Sequence, residues 1–222
     1  MWGLVLFLLL GVTAVSVTGA PTATVQFFTY KEKLLASDKQ GSAEFGTAVA
    51  LSSDGKIMAV GARLHDVNGH NHQGRIYVFK RNVDDTWSQA QILQAANGAA
   101  NDHFGTAVAI AGLNYTIVVG APGDGSGTGS ATVFTYNGSF WDAGTKLPIN
   151  TADPESNDAR GTAVAVNSSG IYAFVGAPGG GTGSPASGAV FVMKYNGAAW
   201  SISQTLNGPT GGKAGMGRAP MD

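Results

Sequence analysis

The sequence predicts an all-β fold of stacked, four-stranded antiparallel units, and three observations point to it. First, the phrase Phe45-Gly46-Thr47-Ala48-Val49-Ala50 returns as Phe104-Gly105-Thr106-Ala107-Val108-Ala109 and again as Arg160-Gly161-Thr162-Ala163-Val164-Ala165. A period of 59 and then 56 residues marks an array of similar units. Second, sixteen residues after its first position each copy meets a Gly-Ala pair: Gly61-Ala62, Gly120-Ala121 and Gly176-Ala177, the last two followed by Pro122 and Pro178. Third, the 222 residues include 33 glycines and only 12% charged residues, a composition of short strands and tight turns rather than helices or a disordered tail.

Residues 1–19 read as a secretory signal peptide. The run Trp2-Gly3-Leu4-Val5-Leu6-Phe7-Leu8-Leu9-Leu10 is apolar, and Val17-Thr18-Gly19-Ala20 supplies small residues for cleavage after Gly19. An uncleaved anchor helix is the alternative, weakened by Gly11, Thr13, Ser16 and Thr18. No later segment is apolar for long enough to cross a bilayer as a helix. Residues 20–34 are expected to be a lone outer strand, because Leu34 precedes Phe45 by eleven residues, as Leu93 precedes Phe104. Three units follow, at 35–93, 94–147 and 148–206, and residues 207–222 read as the truncated start of another.

Each unit divides into four extended segments. The first alternates: Phe45, Thr47, Val49 and Leu51 point one way, and Gly46, Ala48 and Ala50 the other. One face is large and the other very small, so the large face of one unit is expected to fill the hollow of its neighbour. The second segment, Ile57–Val60, Ile117–Val119 and Tyr172–Val175, is apolar on both faces and so buried on both. The third is Arg75–Lys80, Ala131–Thr135 and Ala189–Lys194; the fourth runs from a tryptophan to a leucine, Trp87–Leu93, Trp141–Leu147 and Trp200–Leu206, and is the most polar. Polarity that rises from first strand to fourth suits sheets arranged radially around an axis, which is a β-propeller of four-stranded blades.

Phe-Gly followed at this spacing by Gly-Ala-Pro resembles the FG-GAP repeat of integrin α-subunit propellers and related extracellular proteins. The resemblance covers residues 25–206, with Arg160 in place of the aromatic and Arg63 in place of the proline. It implies a seven-bladed ring, of which about three blades are present. The chain then reads as an N-terminal portion of a larger propeller or a truncated product, with self-association through open blade faces as a further expectation.

Composition excludes several functions. A net charge of −1 gives no basic surface for nucleic acid, and the absence of cysteine removes disulfides, thiol catalysis and cysteine-ligated metals. No nucleophile elbow, phosphate-binding loop or His-Glu-x-x-His motif occurs, so no catalytic residue and no cofactor is assigned. The calcium loop of the resembled family is not found either: Ser52-Ser53-Asp54-Gly55, Ala111-Gly112-Leu113-Asn114 and Asn167-Ser168-Ser169-Gly170 carry at most one carboxylate each. His65, Asp66, His70 and His72 are close enough in sequence to ligate zinc or copper, but a solvated polar loop accounts for them more simply. Asn114, Asn137 and Asn167 open N-glycosylation sequons, all in turns at one end of the blades.

The opposite end carries the loops that vary in length. From Gly61, Gly120 and Gly176 the glycine opening the third strand follows after 13, 9 and 12 residues. Variable loops on a rigid scaffold are the usual seat of recognition. The expected function is a secreted or cell-surface binding or adhesion module, non-catalytic, that recognises an extracellular protein or carbohydrate through loops 62–73, 94–103, 121–128 and 148–159. The alternatives are an accessory propeller of a secreted, phospholipase-like hydrolase and a truncated product without independent function.

Overall fold

Alternating apolar residues separated by Gly-, Asn- and Asp-rich turns produce twelve strands and no helix among the described residues, which are 30–148, 157–181 and 187–209 of a computed structural model. They form three four-stranded antiparallel sheets in simple up-and-down order. The first contains β1 (Phe45–Leu51), β2 (Ile57–Ala62), β3 (Arg75–Arg81) and β4 (Trp87–Leu93). The second contains β5 (Ala107–Ile110), β6 (Ile117–Ala121), β7 (Ser130–Phe134) and β8 (Thr145–Lys146), and the third β9 (Ala163–Val166), β10 (Tyr172–Ala177), β11 (Ala189–Tyr195) and β12 (Trp200–Asn207). Contacts between sheets run through the first strands, β1 to β5 and β5 to β9, so the sheets fan outward like propeller blades.

The Gly-Ala pairs explain how the sheets approach so closely. A Cβ on Gly61 would lie 2.2 Å from the Gly105 carbonyl oxygen, and one on Gly120 would lie 1.9 Å from that of Gly161. Gly61 and Gly120 therefore each receive the backbone of the glycine that opens the next unit, Gly105 and Gly161. Close packing then seals the seams. Ile57, Ala59, Ile76, Val78 and Leu93 of the first sheet meet Phe104, Ile117, Val119, Phe134 and Trp141 of the second. Val118, Ala131, Val133 and Leu147 meet Ala173, Val175 and Met193 across the next seam. Burial of this apolar area is the main stabilising contribution.

Polar groups fasten the first seam as well. The Gln91 side-chain amide donates to the Trp141 carbonyl and accepts from the Trp141 N–H, both at 2.8 Å. Trp141 Nε1 donates to the Tyr115 carbonyl (2.7 Å), and Lys80 Nζ donates to the Tyr136 hydroxyl (2.9 Å). The Tyr115 hydroxyl donates to Asp54 Oδ2 at 2.6 Å; this bond and the one from Ser52 hold the Asp54 carboxyl down at about 2.

Two expectations need correction, at the first and the fourth strands. Of the lone outer strand expected over residues 20–34, residues 20–29 lie outside the described residues, and residues 30–34 form no strand. Residues 34–43 instead run over the first sheet as an irregular arm. Ala36 and Ala43 pack against Val60, Tyr77 and Phe79, and the Asp38 carboxylate accepts from Arg75 Nη1. The first strands of units two and three begin three residues late, at Ala107 and Ala163; all three units share the turn bond (Thr47, Thr106 and Thr162 N–H on the Glu44, His103 and Ala159 carbonyls), but only Phe45 of the first also pairs with its second strand, at Ala62. In the first unit the same stretch is a bulge between Phe45 and Val49, so strict alternation holds only beyond it. The fourth strand of unit two shrinks to Thr145–Lys146. Trp141 still bridges to Tyr136, and the Asp142 N–H donates to the Thr135 carbonyl (3.0 Å), but Gly144 at φ +82° and the Asp142 carboxylate, which accepts the Thr135 and Gly144 N–H groups, interrupt the ladder between them and Thr145.

The alternation of large and small side chains does its expected work where a preceding sheet exists. Val108 and Ile110 pack into the first seam, and Val164 and Val166 into the second. The equivalent Val49 and Leu51 of β1 are 59% and 55% exposed.

Candidate binding face

Antiparallel order puts the β2–β3 loop of the first unit, and the β6–β7 loop of the second, beside the segment that leads into the next unit's first strand, and backbone hydrogen bonds join the two. Asn101, His103 and Phe104 N–H donate to the carbonyls of Asn71, His72 and Gln73 at 2.9, 3.1 and 2.8 Å. Ala159 and Arg160 repeat this on Gly127 and Thr128, at 2.9 and 3.0 Å. The loops that vary most in length thus sit on a hydrogen-bonded base.

Near the first strands this face carries a charged group. Arg63 Nε donates to Glu44 Oε2 at 2.6 Å, which lowers the Glu44 carboxyl below its ordinary value. The rings of His72 and His103 lie 6.3 Å apart, and both residues occupy the left-handed region, at φ 55°. Burial lowers the His103 imidazole below its ordinary 6.5, and the charges of Arg63 and His72 add to the effect against the opposing Asp102 and Glu44. The fold therefore favours the neutral ring, while the unfolded chain takes up the proton more readily. This stabilisation is fully present above the unfolded value of 6.5 and is lost as pH falls below it and through the lower folded value. The urea midpoint is expected to fall between about pH 7.5 and about pH 5.5, and His103→Gln to flatten part of that slope. An unchanged slope in the variant would refute the assignment.

The four candidate metal ligands are not brought together, and no group of three or more histidine or acidic side chains among the described residues is placed to hold an ion. His65 is buried at 5% exposure; its ring nitrogens face the Asp66 carbonyl (2.8 Å) and the Asp38 carbonyl (3.3 Å). Asp66 closes its own loop, accepting from His72 N–H (2.8 Å) and from Gln40 Nε2 of the arm (3.0 Å). His70 reaches the Gly98 carbonyl at 2.8 Å. These side chains are spent on the backbone and side chains of the loop, of the arm and of the segment before the second unit, in three different directions.

Sequence reasoning missed two features. The first is the cluster of Asp38, His65, Arg75 and Tyr77 under the arm. Burial raises the Asp38 carboxyl, but the Tyr77 hydroxyl and the charges of His65 and Arg75 outweigh it, and the net shift is downward. The second is a pair of buried acids, Asp102 at 4% and Asp158 at 2% exposure, each two residues before the aromatic position. The Asn101-Asp102 and Asn157-Asp158 dipeptides were the available signal. Asp102 Oδ2 accepts the Ala99 N–H at 2.6 Å, and burial raises its carboxyl, aided by Asp124. Asp158 pairs with Arg160 Nη2 at 2.8 Å, and that guanidinium lies 4.8 Å from the Phe191 ring centre. Arg160 also lines a small cavity between the second and third sheets with Ser130, Leu147, Val175, Phe191 and Met193.

The three sequon asparagines occupy turns at the opposite end, where the constant β1–β2-type and β3–β4-type connections lie. Asn114 and Asn137 are exposed and Asn167 is half-buried.

Comparison with known proteins gives a family match. The model of the FG-GAP repeat matches residues 28–79 and 87–134. No curated protein matches the chain. Among solved structures, the chain is similar to the periplasmic gluconolactonase of Pseudomonas aeruginosa, with a TM-score of 0.42 and 13% identity over 75% of this chain and 58% of that one. A prolyl endopeptidase structure matches with a TM-score of 0.45 and 16% identity over 78% of this chain. The chain thus spans 58% and 23% of the lengths of these two structures.

Proposed function

This chain is an FG-GAP repeat protein built of blade-like antiparallel sheets, and from that premise we propose that it is a non-catalytic extracellular binding module. Its ligand is a protein or carbohydrate met by the β2–β3 loops and the segments joined to them. One observation carries this reading. Loops of unequal length, residues 63–74 and 122–129, each pair through their main chain with the next unit, so variable side chains stand on a fixed base. An apolar N-terminal run suited to a cleaved leader supports secretion. No helix among the described residues is long and apolar enough to cross a membrane.

The test is an array of extracellular-matrix proteins and glycans probed with the secreted chain. Saturable binding is expected, weakened about tenfold, or ~1.4 kcal/mol, by alanines at His70, Asn71 and His72. Serine at Val83, fully exposed on a turn of the other end, should leave binding unchanged. Binding that ignores the loop, or falls equally with Val83→Ser, would sink the proposal.

A further inference from the structure

The three sequons differ in what the fold asks of their asparagines. Asn114 lies in the β5–β6 turn, and its Nδ2 donates to the Ser169 carbonyl of the neighbouring sheet at 3.2 Å while Oδ1 accepts the Thr116 N–H at 3.2 Å. Its amide is pressed against Gly170: a Cβ there would lie 2.6 Å from Oδ1 and 2.7 Å from Nδ2. Asn167, in the β9–β10 turn, donates from Nδ2 to Ser169 Oγ (2.9 Å) and accepts the Ile171 and Tyr172 N–H groups (3.0 Å each). Both amides hold backbone that the seam between the second and third sheets depends on.

Asn137 is different. It sits at the tip of the β7–β8 hairpin, its Oδ1 accepts the Ser139 and Phe140 N–H groups (3.0 Å each), and its Nδ2 has no partner among the described residues. Residues 137–140 are all exposed. The turn is rigid from within: the Tyr136 hydroxyl donates to the Gly138 carbonyl (2.7 Å), and the Tyr136 and Trp141 rings are 4.5 Å apart.

The molecule contains a second copy of this turn. Tyr195-Asn196-Gly197-Ala198-Ala199-Trp200 repeats Tyr136-Asn137-Gly138-Ser139-Phe140-Trp141. Asn196 Oδ1 accepts the Ala198 and Ala199 N–H groups (2.9 Å each), the Tyr195 hydroxyl donates to the Gly197 carbonyl (3.0 Å), and the Tyr195 and Trp200 rings are 5.5 Å apart. Only the hydroxyl residue two positions after the asparagine is missing, Ala198 standing where Ser139 does.

We infer that Asn137 is the one sequon asparagine that carries an N-linked oligosaccharide in the folded protein, and that the Tyr-Asn-Gly-x-x-Trp hairpin tip is the geometry that admits it. The inference rests on the extracellular reading above, because the donor is a lipid diphosphate-linked oligosaccharide and the catalyst a transferase of the secretory pathway. Asn137 Nδ2 bonds to the anomeric carbon, the C–O bond to the diphosphate breaks with its electron pair leaving on the diphosphate, and the amide nitrogen releases one proton. A glycan on Asn114 or Asn167 would displace the Ser169 and turn contacts, so chains modified there do not reach the folded, secreted pool.

The experiment expresses the full chain in secretory eukaryotic cells, beside a form with a leader of proven cleavage in place of residues 1–19. Secreted protein is mapped by peptide mass spectrometry with and without glycan release. The expected result is a glycan at Asn137 alone, lost in Asn137→Gln and Ser139→Ala. Ala198→Ser is expected to add a second glycan, at Asn196. If the full chain stays unmodified inside the cell while the leader-replaced form carries the Asn137 glycan, the secretion reading fails and the site stands. Folded protein from the leader-replaced form with Asn137 bare, with a glycan at Asn114 or Asn167, or with Ala198→Ser adding nothing, would overturn the inference.

Discussion

Replacing Arg160 by alanine is expected to destabilise the chain by about 3–5 kcal/mol, as removal of one partner of a buried ion pair does. Arg160 and Asp158 expose only 5% and 3% of their side chains, and their atoms meet at 2.8 Å. Without the guanidinium the Asp158 carboxylate stays in a site that water hardly reaches. The stacking on Phe191 is lost too, and the cavity beside Leu147 and Met193 grows. The pair itself is dispensable in principle, because the first unit solves the same position without charge. Ala43 and Phe45 occupy the places of Asp158 and Arg160, and Phe45 packs edge-on against Tyr77 at 5.5 Å. The double variant Asp158→Ala/Arg160→Phe is therefore expected to recover most of the loss. Urea unfolding of the wild type, single and double variants decides it. A cost below about 1 kcal/mol for Arg160→Ala would show that the pair does not hold the third sheet.

Gly120→Ala is expected to cost about 3 kcal/mol or more, the upper range for a side chain forced into a packed site. The new methyl would stand 1.9 Å from the Gly161 oxygen and 2.8 Å from its carbonyl carbon. The obstacle is backbone, so no side chain can rotate aside, and the third sheet must move off the second as a body. Gly41→Ala is the matched control, since a Cβ there meets nothing within 4 Å. It is expected to leave the thermal midpoint unchanged or slightly raised through the unfolded chain. Equal midpoints for the two variants would refute the account of why the Gly-Ala pair recurs.

How much of this was legible beforehand differs from element to element. The alternation beyond Val49, the apolar second strands and the tryptophans that open β4 and β12 placed those strands to within a residue or two. The lengths of β5, β8 and β9 were not legible. β8 is trimmed by local backbone geometry, Gly144 at φ +82°, and β5 and β9 lack the pairing with the second strand that Phe45 makes in the first unit. The histidines of the 63–74 loop looked like one cluster because sequence proximity says nothing about direction. In the fold His65 points inward to Asp38, His70 reaches Gly98 and Asp66 turns back to Gln40 and His72. The candidate binding face was legible as a set of loops of unequal length. Its charged group of Glu44, Arg63, His72 and His103 was not, because Glu44 and Arg63 are distant in sequence and meet only through the fold of the first unit, and His103 joins the group from the second unit across the seam.

The sequence by itself determined the repeating four-stranded unit, its order and the end at which the variable loops lie. Those follow from period-two burial and from turns at fixed spacing, which are local and need no knowledge of what is packed alongside. Only the tertiary structure decided why the Gly-Ala glycine cannot be alanine, why an arginine stands in an aromatic position, and which of three sequon asparagines is left free. In each case the deciding atom belongs to a neighbouring sheet or to a turn closed by distant groups: Gly161 for Gly120, Phe191 for Arg160, Ser169 for Asn114. The contacts that give those residues their meaning come into being only when the sheets stack.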